Sequence, residues 1–266
     1  MRPIRILRFL LMAAGAVVMF YPFLFMIDTS LKSQSQYLSG SGHSLVSWGE
    51  LFSALPVGQD LANSTLVCAL SLVLIIALSS TAGYAFAKLR YRGGILVFLG
   101  IVSAMLIPMQ SIIIPAYVNL SRFGLLNSYW GAVLLYAALG TPFATFLMTA
   151  FYRSLPDELV EAAIVDGLGY AATYRRIALP LSTPAIATVA VLQFIQIWDD
   201  LLVGLLFLQN PDERTITVGL GVLSAGRVTD IPVLMAGSLL SAVPAVVVYL
   251  VLQRYLVSGL TAGIGK

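Results

Sequence analysis

Long apolar stretches alternate with short polar ones along the whole chain. Six of the apolar runs approach the ~20 residues that a helix needs to cross about 30 Å of hydrocarbon. They fall at about 9–28, 63–87, 95–118, 129–151, 183–208 and 233–253. The runs are continuous rather than alternating residue by residue, which excludes barrel strands. Lipid offers no partner to an unpaired backbone group, so each run predicts a helix. The predicted fold is all-α, a polytopic membrane bundle of six transmembrane helices, with residues 1–266 as one domain.

Composition agrees with the pattern. Of 266 residues, 59% are hydrophobic and 10% charged, with a mean hydropathy of +0.93. A water-soluble globule carries about 25% charged residues, so little of the chain is expected outside the bilayer. The net charge of +3 and the pI near 9.0 do not point to nucleic acid. The basic residues do not cluster with aromatics on one polar face, as a nucleic-acid stripe requires.

They punctuate the apolar runs instead, and their placement sets orientation. Arg2, Arg5, Arg8, Lys88, Arg90, Arg92, Arg153, Arg175, Arg176, Arg254 and Lys266 fall on one side, leaving Lys32, Arg122, Arg214 and Arg227 on the other. Both termini and the loops after spans two and four are therefore expected in the cytoplasm. The first span follows three arginines like a signal peptide, but no small-residue cleavage site precedes Asp28 and Lys32, and it reads as a retained anchor. Pro108 and Pro115 predict kinks on one face of span three, and Pro142 and Pro244 are expected to interrupt spans four and six.

Two outer segments stand out. Residues 29–62 are rich in Ser and Gly, with an interfacial helical turn predicted around Trp48, Leu51 and Phe52; residues 209–232 open with a turn composition, Asn210-Pro211-Asp212-Glu213. His43, the only histidine, has no second nitrogen or thiol ligand nearby in sequence, so no metal site is expected and it reads as a solvated loop residue. The lone Cys68 sits in an apolar run and reads as a small buried thiol.

The cytoplasmic loop 154–180 is different. Ser154 can cap a helix, Pro156 suits its first turn, and Asp157 with Glu158 place negative charge where the helix dipole favours it. Gly167 fits a C-terminal stop, Tyr170 to Ala178 can form a second short helix, and Pro180 and Pro184 mark entry to the next span. Leu155, Leu159, Ala162, Ala163 and Asp166 recur at three- and four-residue spacing and predict a small apolar stripe flanked by Glu158 and Glu161. A helix lying on anionic headgroups usually presents Lys and Arg. The acidic composition favours docking onto a cytoplasmic partner.

Within that loop, Glu161-Ala162-Ala163, three residues, Gly167, nine residues, Ile177, one residue and Leu179-Pro180 resemble the EAA signature of inner-membrane permeases of binding-protein-dependent ABC importers. Leu106-Ile107-Pro108 with Gln110, Ile114-Pro115, Tyr117, Gly124-Leu125-Leu126-Asn127, Pro142-Phe143, Trp198-Asp199-Asp200 and Gln253-Arg254-Tyr255 are similar to the carbohydrate importers of the maltose-transporter G-subunit type. The resemblance covers nearly the whole chain. It implies a cytoplasmic (inner) membrane permease, bacterial or archaeal, that is not itself an enzyme. Its implied partners are a second permease subunit, two cytoplasmic ATPase subunits and an extracytoplasmic solute-binding protein. ATP and magnesium would be held by the ATPase subunits, with no cofactor bound by this chain. The loop helix becomes a cytoplasmic coupling helix, with Glu161, Ala162, Ala163, Asp166, Gly167, Ile177, Leu179 and Pro180 as its ATPase-coupling residues. The tail Gly259, Leu260, Thr261, Ala262 and Gly263 would reach the ATPases.

Nucleotide motifs are absent where they would matter. Gly259 to Lys266 has the wrong glycine spacing for a P-loop, and Gly167-Leu168-Gly169 lacks the strand that a dinucleotide fingerprint follows. An intramembrane charge costs about 2.5–3.5 kcal/mol or more at the bilayer centre, so Asp199 and Asp200 are expected to face protein or water. With Gln110, Gln193, Gln196 and Trp198 they form a candidate translocation path, although interhelical pairing is the commoner use of such groups. A secondary transporter or channel leaves the acidic loop without a task, and a membrane-embedded enzyme lacks convergent catalytic groups. The expected cargo is an oligo- or disaccharide, the alternative a polyol or glycerol-phosphate-type solute.

Overall fold

The computed structural model describes residues 2–89, 91–226 and 230–261, with side chains from Ile6 to Tyr255. It is 83% helical and has no strand among the described residues. Four helices are long and apolar enough to cross a membrane, or six spans if two bent helix pairs each count as one. The chain forms two units, one of residues up to Gln59 with Val218–Val243, the other of Asp60–Thr217 with Pro244 onward.

In the first unit, α1 (Arg2–Ser30) has an apolar spanning window, none of which is buried within the chain. It ends at an ion pair, Asp28 to Lys32 at 2.5 Å, and Asp28 also meets His43 Nε2 at 2.9 Å. His43 is thus more than a solvated loop residue, because it ties its loop back to α1. A capping box opens α2 (Gln34–Ser39), with Gln36 and Ser33 each bonding the other's backbone N–H. The predicted interfacial turn is α3 (Val46–Ala54), whose Leu51 is fully buried.

The second unit carries α4 (Val57–Lys88, from Asp60 onward), α5 (Gly94–Ser103), α6 (Met109–Arg122) and α7 (Tyr129–Ser154). Cys68 is buried on α4 as predicted. The predicted third span is bent far more sharply than a kink. A short 3₁₀ turn, Ala104–Leu106, follows α5, and the chain then turns by 101° into α6. The cause is Pro108, which donates no backbone hydrogen bond and holds Ile107 extended at φ −85°, ψ 116°. Pro115 lies inside α6, and Pro142 inside α7, without breaking either helix.

The fifth span is also divided. After α8 (Asp157–Val165), α9 (Tyr170–Thr173), a π-helical turn (Tyr174–Ala178) and α10 (Leu179–Leu181) comes α11 (Thr183–Trp198). It stops short of the predicted 208 and gives way to α12 (Leu202–Phe207). The 209–232 segment that composition leaves as turns contains α13 (Ile216–Ser224), and α14 (Ile231–Thr261) runs unbroken through Pro244.

Candidate functional site: the α8 segment and the α7–α11 cavity

Helix α8 does not begin at Ser154. That hydroxyl bonds back to Phe151 O and closes α7, while Pro156 occupies the N-cap without a side-chain bond. The helix start is held from outside. Lys88, at the end of α4 and only 3% exposed in its side chain, donates to Asp157 Oδ1 and to Leu155 O, each at 2.6 Å. The end is a Schellman motif: Gly167 N–H bonds Ile164 O at 3.0 Å and Leu168 N–H bonds Ala163 O at 2.9 Å. It requires the left-handed φ of 85° at Gly167.

The inward face of α8 differs from the predicted stripe. Val160 and Ala163 are the residues buried. Leu159, Glu161, Ala162, Val165 and Asp166 are exposed, Val165 by 86%. Glu161 borders a small cavity of about 260 Å³ together with Lys88, Asp157 and Tyr170. Of the remaining loop residues, Ile177 and Leu179 are half-buried and Pro180 is exposed.

Beyond α8 the chain meets α4 and α7 through hydroxyl groups. Tyr174 OH donates to Ser80 Oγ at 3.0 Å, Ser80 Oγ lies 2.8 Å from Tyr152 OH, and Tyr152 OH donates to Ser182 Oγ at 3.0 Å. Ser182 in turn donates to Leu179 O at 2.8 Å. Tyr84 packs against Tyr152 and Tyr174 with ring centres at 5.7 and 5.3 Å. Ser182 is also where the chain bends by 70° between Tyr170–Leu181 and α11. Sequence reasoning missed this cluster, since Tyr174 lies 94 residues from Ser80 and the members form no spacing pattern.

Between the 3₁₀ turn after α5, α7 and α11 lies a cavity of about 530 Å³. Gln193, Gln196 and Asp200 line it, joined by Tyr136, Pro142 and Phe143. Gly140 makes room for Gln193, because a Cβ there would collide with Gln193 Oε1 and lie 2.6 Å from Ile75 Cδ1. The other candidate path residues lie elsewhere. Gln110 is exposed in the first turn of α6, and Trp198 is buried with its ring stacked on Phe194 at 5.2 Å. Asp199 is exposed just past α11. Asp200 Oδ1 accepts from Tyr136 OH at 2.9 Å and from Val203 N–H at 2.8 Å. That carboxylate draws a backbone N–H at the start of α12 and so helps to separate α12 from α11.

In the tail, Gly259, Leu260 and Thr261 belong to the backbone of α14, but their side chains, and all of Ala262 and Gly263, lie outside the described residues. Among the described residues no group of His, Cys, Asp or Glu could hold a metal ion.

The chain is 33% identical over 263 residues to a putative ABC transporter permease protein, ORF2, of Caldicellulosiruptor sp. (strain Rt8B.4), covering 97% of this chain and 96% of that one. It is 30% identical over 262 residues to the melibiose/raffinose/stachyose import permease protein MelC of Bacillus subtilis (strain 168), covering 97% and 95%. In fold it matches a chain of a bacterial ABC transporter involved in import of the acidic polysaccharide alginate, with a TM-score of 0.82, 22% identity and 96% of each chain covered. These relatives are transporter permease subunits rather than enzymes. Residues 75–262 match the family described as binding-protein-dependent transport system inner membrane component, and the chain belongs to that family as an ABC importer permease of the sugar type.

Proposed function

We propose that this chain is the membrane subunit through which separate ATPase subunits drive import of an oligo- or disaccharide by alternating access. The observation that carries the reading is the exposed Leu159, Glu161, Ala162 and Val165 surface on α8, a helix fastened to α4 by Lys88. Seated in a cleft of an ATPase subunit, that surface would move with nucleotide-driven closure. Glu161 would make a charge-assisted contact with a basic group there, a kind of pair that couples by about 1.5–7 kcal/mol when desolvated. Ala162 admits close approach, Asp166 and Gly167 form the turn, and Ile177, Leu179 and Pro180 link the segment to α11.

In the same reading a second permease subunit completes the path and an extracytoplasmic binding protein delivers solute. Both termini, the α8 segment and the Gly259–Gly263 tail face the cytoplasm. ATP and magnesium stay on the ATPase subunits. The cavity beside Gln193 and Gln196 offers amides, an aromatic hydroxyl and a carboxylate, with no Lys or Arg among its lining residues. That chemistry suits an uncharged polyhydroxylated solute better than a phosphate-bearing one, in keeping with the oligosaccharides named for the Bacillus relative. Glu161→Lys tests the coupling. The variant is expected to insert and fold, yet to lose co-purifying ATPase subunits and uptake. A chain that imports sugar without ATPase subunits sinks the proposal and favours a secondary transporter.

A further inference from the structure

A separate cavity of about 480 Å³ lies where the C-terminal end of α4, the start of α5 and the last turn of α7 meet. Two guanidinium groups line it, Arg92 and Arg153, with Phe86, Tyr91 and Phe98 as aromatic walls. No carboxylate lines it, and among the described residues neither arginine is in an ion pair. Arg153 lies over the Phe98 ring at 5.5 Å, and Phe86 contacts both Phe98 and Tyr91, at 5.5 and 6.4 Å. A Cβ on Gly94 would sit 3.0 Å from the Tyr91 ring, so the glycine lets that ring close over the space.

Arg92 and Arg153 are both exposed, and two like charges on the wall of one open cavity raise its affinity for an anion. Guanidinium is planar and forked, and it grips phosphate oxygens in pairs, unlike a lysine ammonium. The neighbouring Lys88 is occupied by Leu155 and Asp157. Next to the charged cavity, the first turns of α5 expose Ile95, Leu96 and Leu99, a strip of apolar surface on a helix that begins the third span. Charge at a span's end with an apolar track running away from it matches the two halves of a lipid, and basic pockets between membrane helices hold anionic headgroups. We propose that this cavity binds the phosphodiester headgroup of an anionic glycerophospholipid, whose acyl chains lie along Ile95, Leu96 and Leu99. The site is independent of how α8 engages an ATPase.

The test uses the intact transporter complex, exchanged into nanodiscs of phosphatidylglycerol or of phosphatidylcholine and read by native mass spectrometry. The complex is expected to retain phosphatidylglycerol and not phosphatidylcholine. Arg92→Gln and Arg153→Gln should each lower retention about fivefold, the effect of one juxtamembrane basic residue. Arg122→Gln, at the end of α6 and outside the cavity, should leave it unchanged. Arg153→Lys keeps the charge without the fork, and an intermediate loss is expected. The proposal is overturned if both lipids are retained equally, if Arg122→Gln costs as much as Arg92→Gln, or if millimolar inorganic phosphate displaces the lipid. A partner carboxylate paired with both arginines in the assembled complex overturns it as well.

Discussion

Tyr152 OH donates to Ser182 Oγ at 3.0 Å, so the last turn of α7 is bonded to the residue at which the chain bends by 70° into α11. Both residues are fully buried. The bond belongs to a run of hydroxyls that starts at Tyr174 in the π-helical turn, passes through Ser80 and Tyr152, and ends on Leu179 O. Each hydroxyl in the middle accepts one bond and donates one. The run therefore begins and ends on the segment beyond α8 and is anchored in its middle on α4 and α7. Those two helices are themselves close, since a Cβ on Gly83 would lie 2.7 Å from Met148 Cβ and 2.9 Å from Thr149 N.

Tyr152→Phe removes the central hydroxyl and keeps the ring that packs on Tyr84. Loss of a buried hydrogen-bonded hydroxyl costs about 1–3 kcal/mol where its partners stay unsatisfied. Because Ser182 keeps its bond to Leu179 O, the lower end of that range is expected here. If α8 transmits ATPase motion to α11, solute moved per ATP hydrolysed should fall several-fold in proteoliposomes while hydrolysis continues. Equal losses of hydrolysis and transport would make the bond purely structural.

Lys88 and Asp157 should respond unequally to substitution. The Lys88 side chain is 3% exposed and serves both Asp157 and Leu155 O, whereas Asp157 is 65% exposed. Exposed partners contribute about 0.2–1 kcal/mol. Asp157→Asn is therefore expected to be mild, because Lys88 retains Leu155 O. Lys88→Met frees both contacts at once and should make the 155–166 segment more open to limited proteolysis. Comparable protease sensitivity in the two variants would contradict this asymmetry.

Much of the architecture can be read from hydropathy, because a membrane helix must satisfy its own backbone and announces itself by length. The spans at α1, α4, α7 and α14 follow directly from their apolar runs. The two divided spans do not. Pro108 breaks its helix because Ile107 is held extended, while Pro115, Pro142 and Pro244 are absorbed by continuous helices, and composition treats all four alike. The separation of α11 from α12 involves the bonds from Tyr136 and Val203 to Asp200, and the first of these partners is 64 residues away. In the α8 segment, Gly167 as terminator was legible from local chemistry, since only the left-handed turn needs it. Which face turns inward was not: Val160 and Ala163 are chosen by the surface beneath α8, and the spacing of Leu159 and Ala162 carries no information about that surface. The hydroxyl cluster left no trace in sequence for the same reason.

Gly140 offers a check on the α7–α11 cavity. A residue with a Cβ at that position of α7 would collide with the Gln193 amide and crowd Ile75. Gln193 is 2% exposed, and Ile75 is fully buried on α4; the flexible Gln193 amide, which lines the cavity, is the group that must shift. Overpacking of this kind costs about 1–3 kcal/mol, which the rest of a helix as long as α7 can tolerate. Gly140→Val should therefore leave the complex recoverable from membranes while displacing Gln193 in the cavity. If solute passes beside Gln193 and Gln196, the solute concentration giving half-maximal uptake should rise several-fold. Gly131→Val supplies the control: its Cβ would strike Leu125 O, away from the cavity lining, so it perturbs packing of α7 without reaching Gln193. Uptake by Gly140→Val at the wild-type concentration dependence, with Gly131→Val equally unaffected, would place the solute route elsewhere in the assembly.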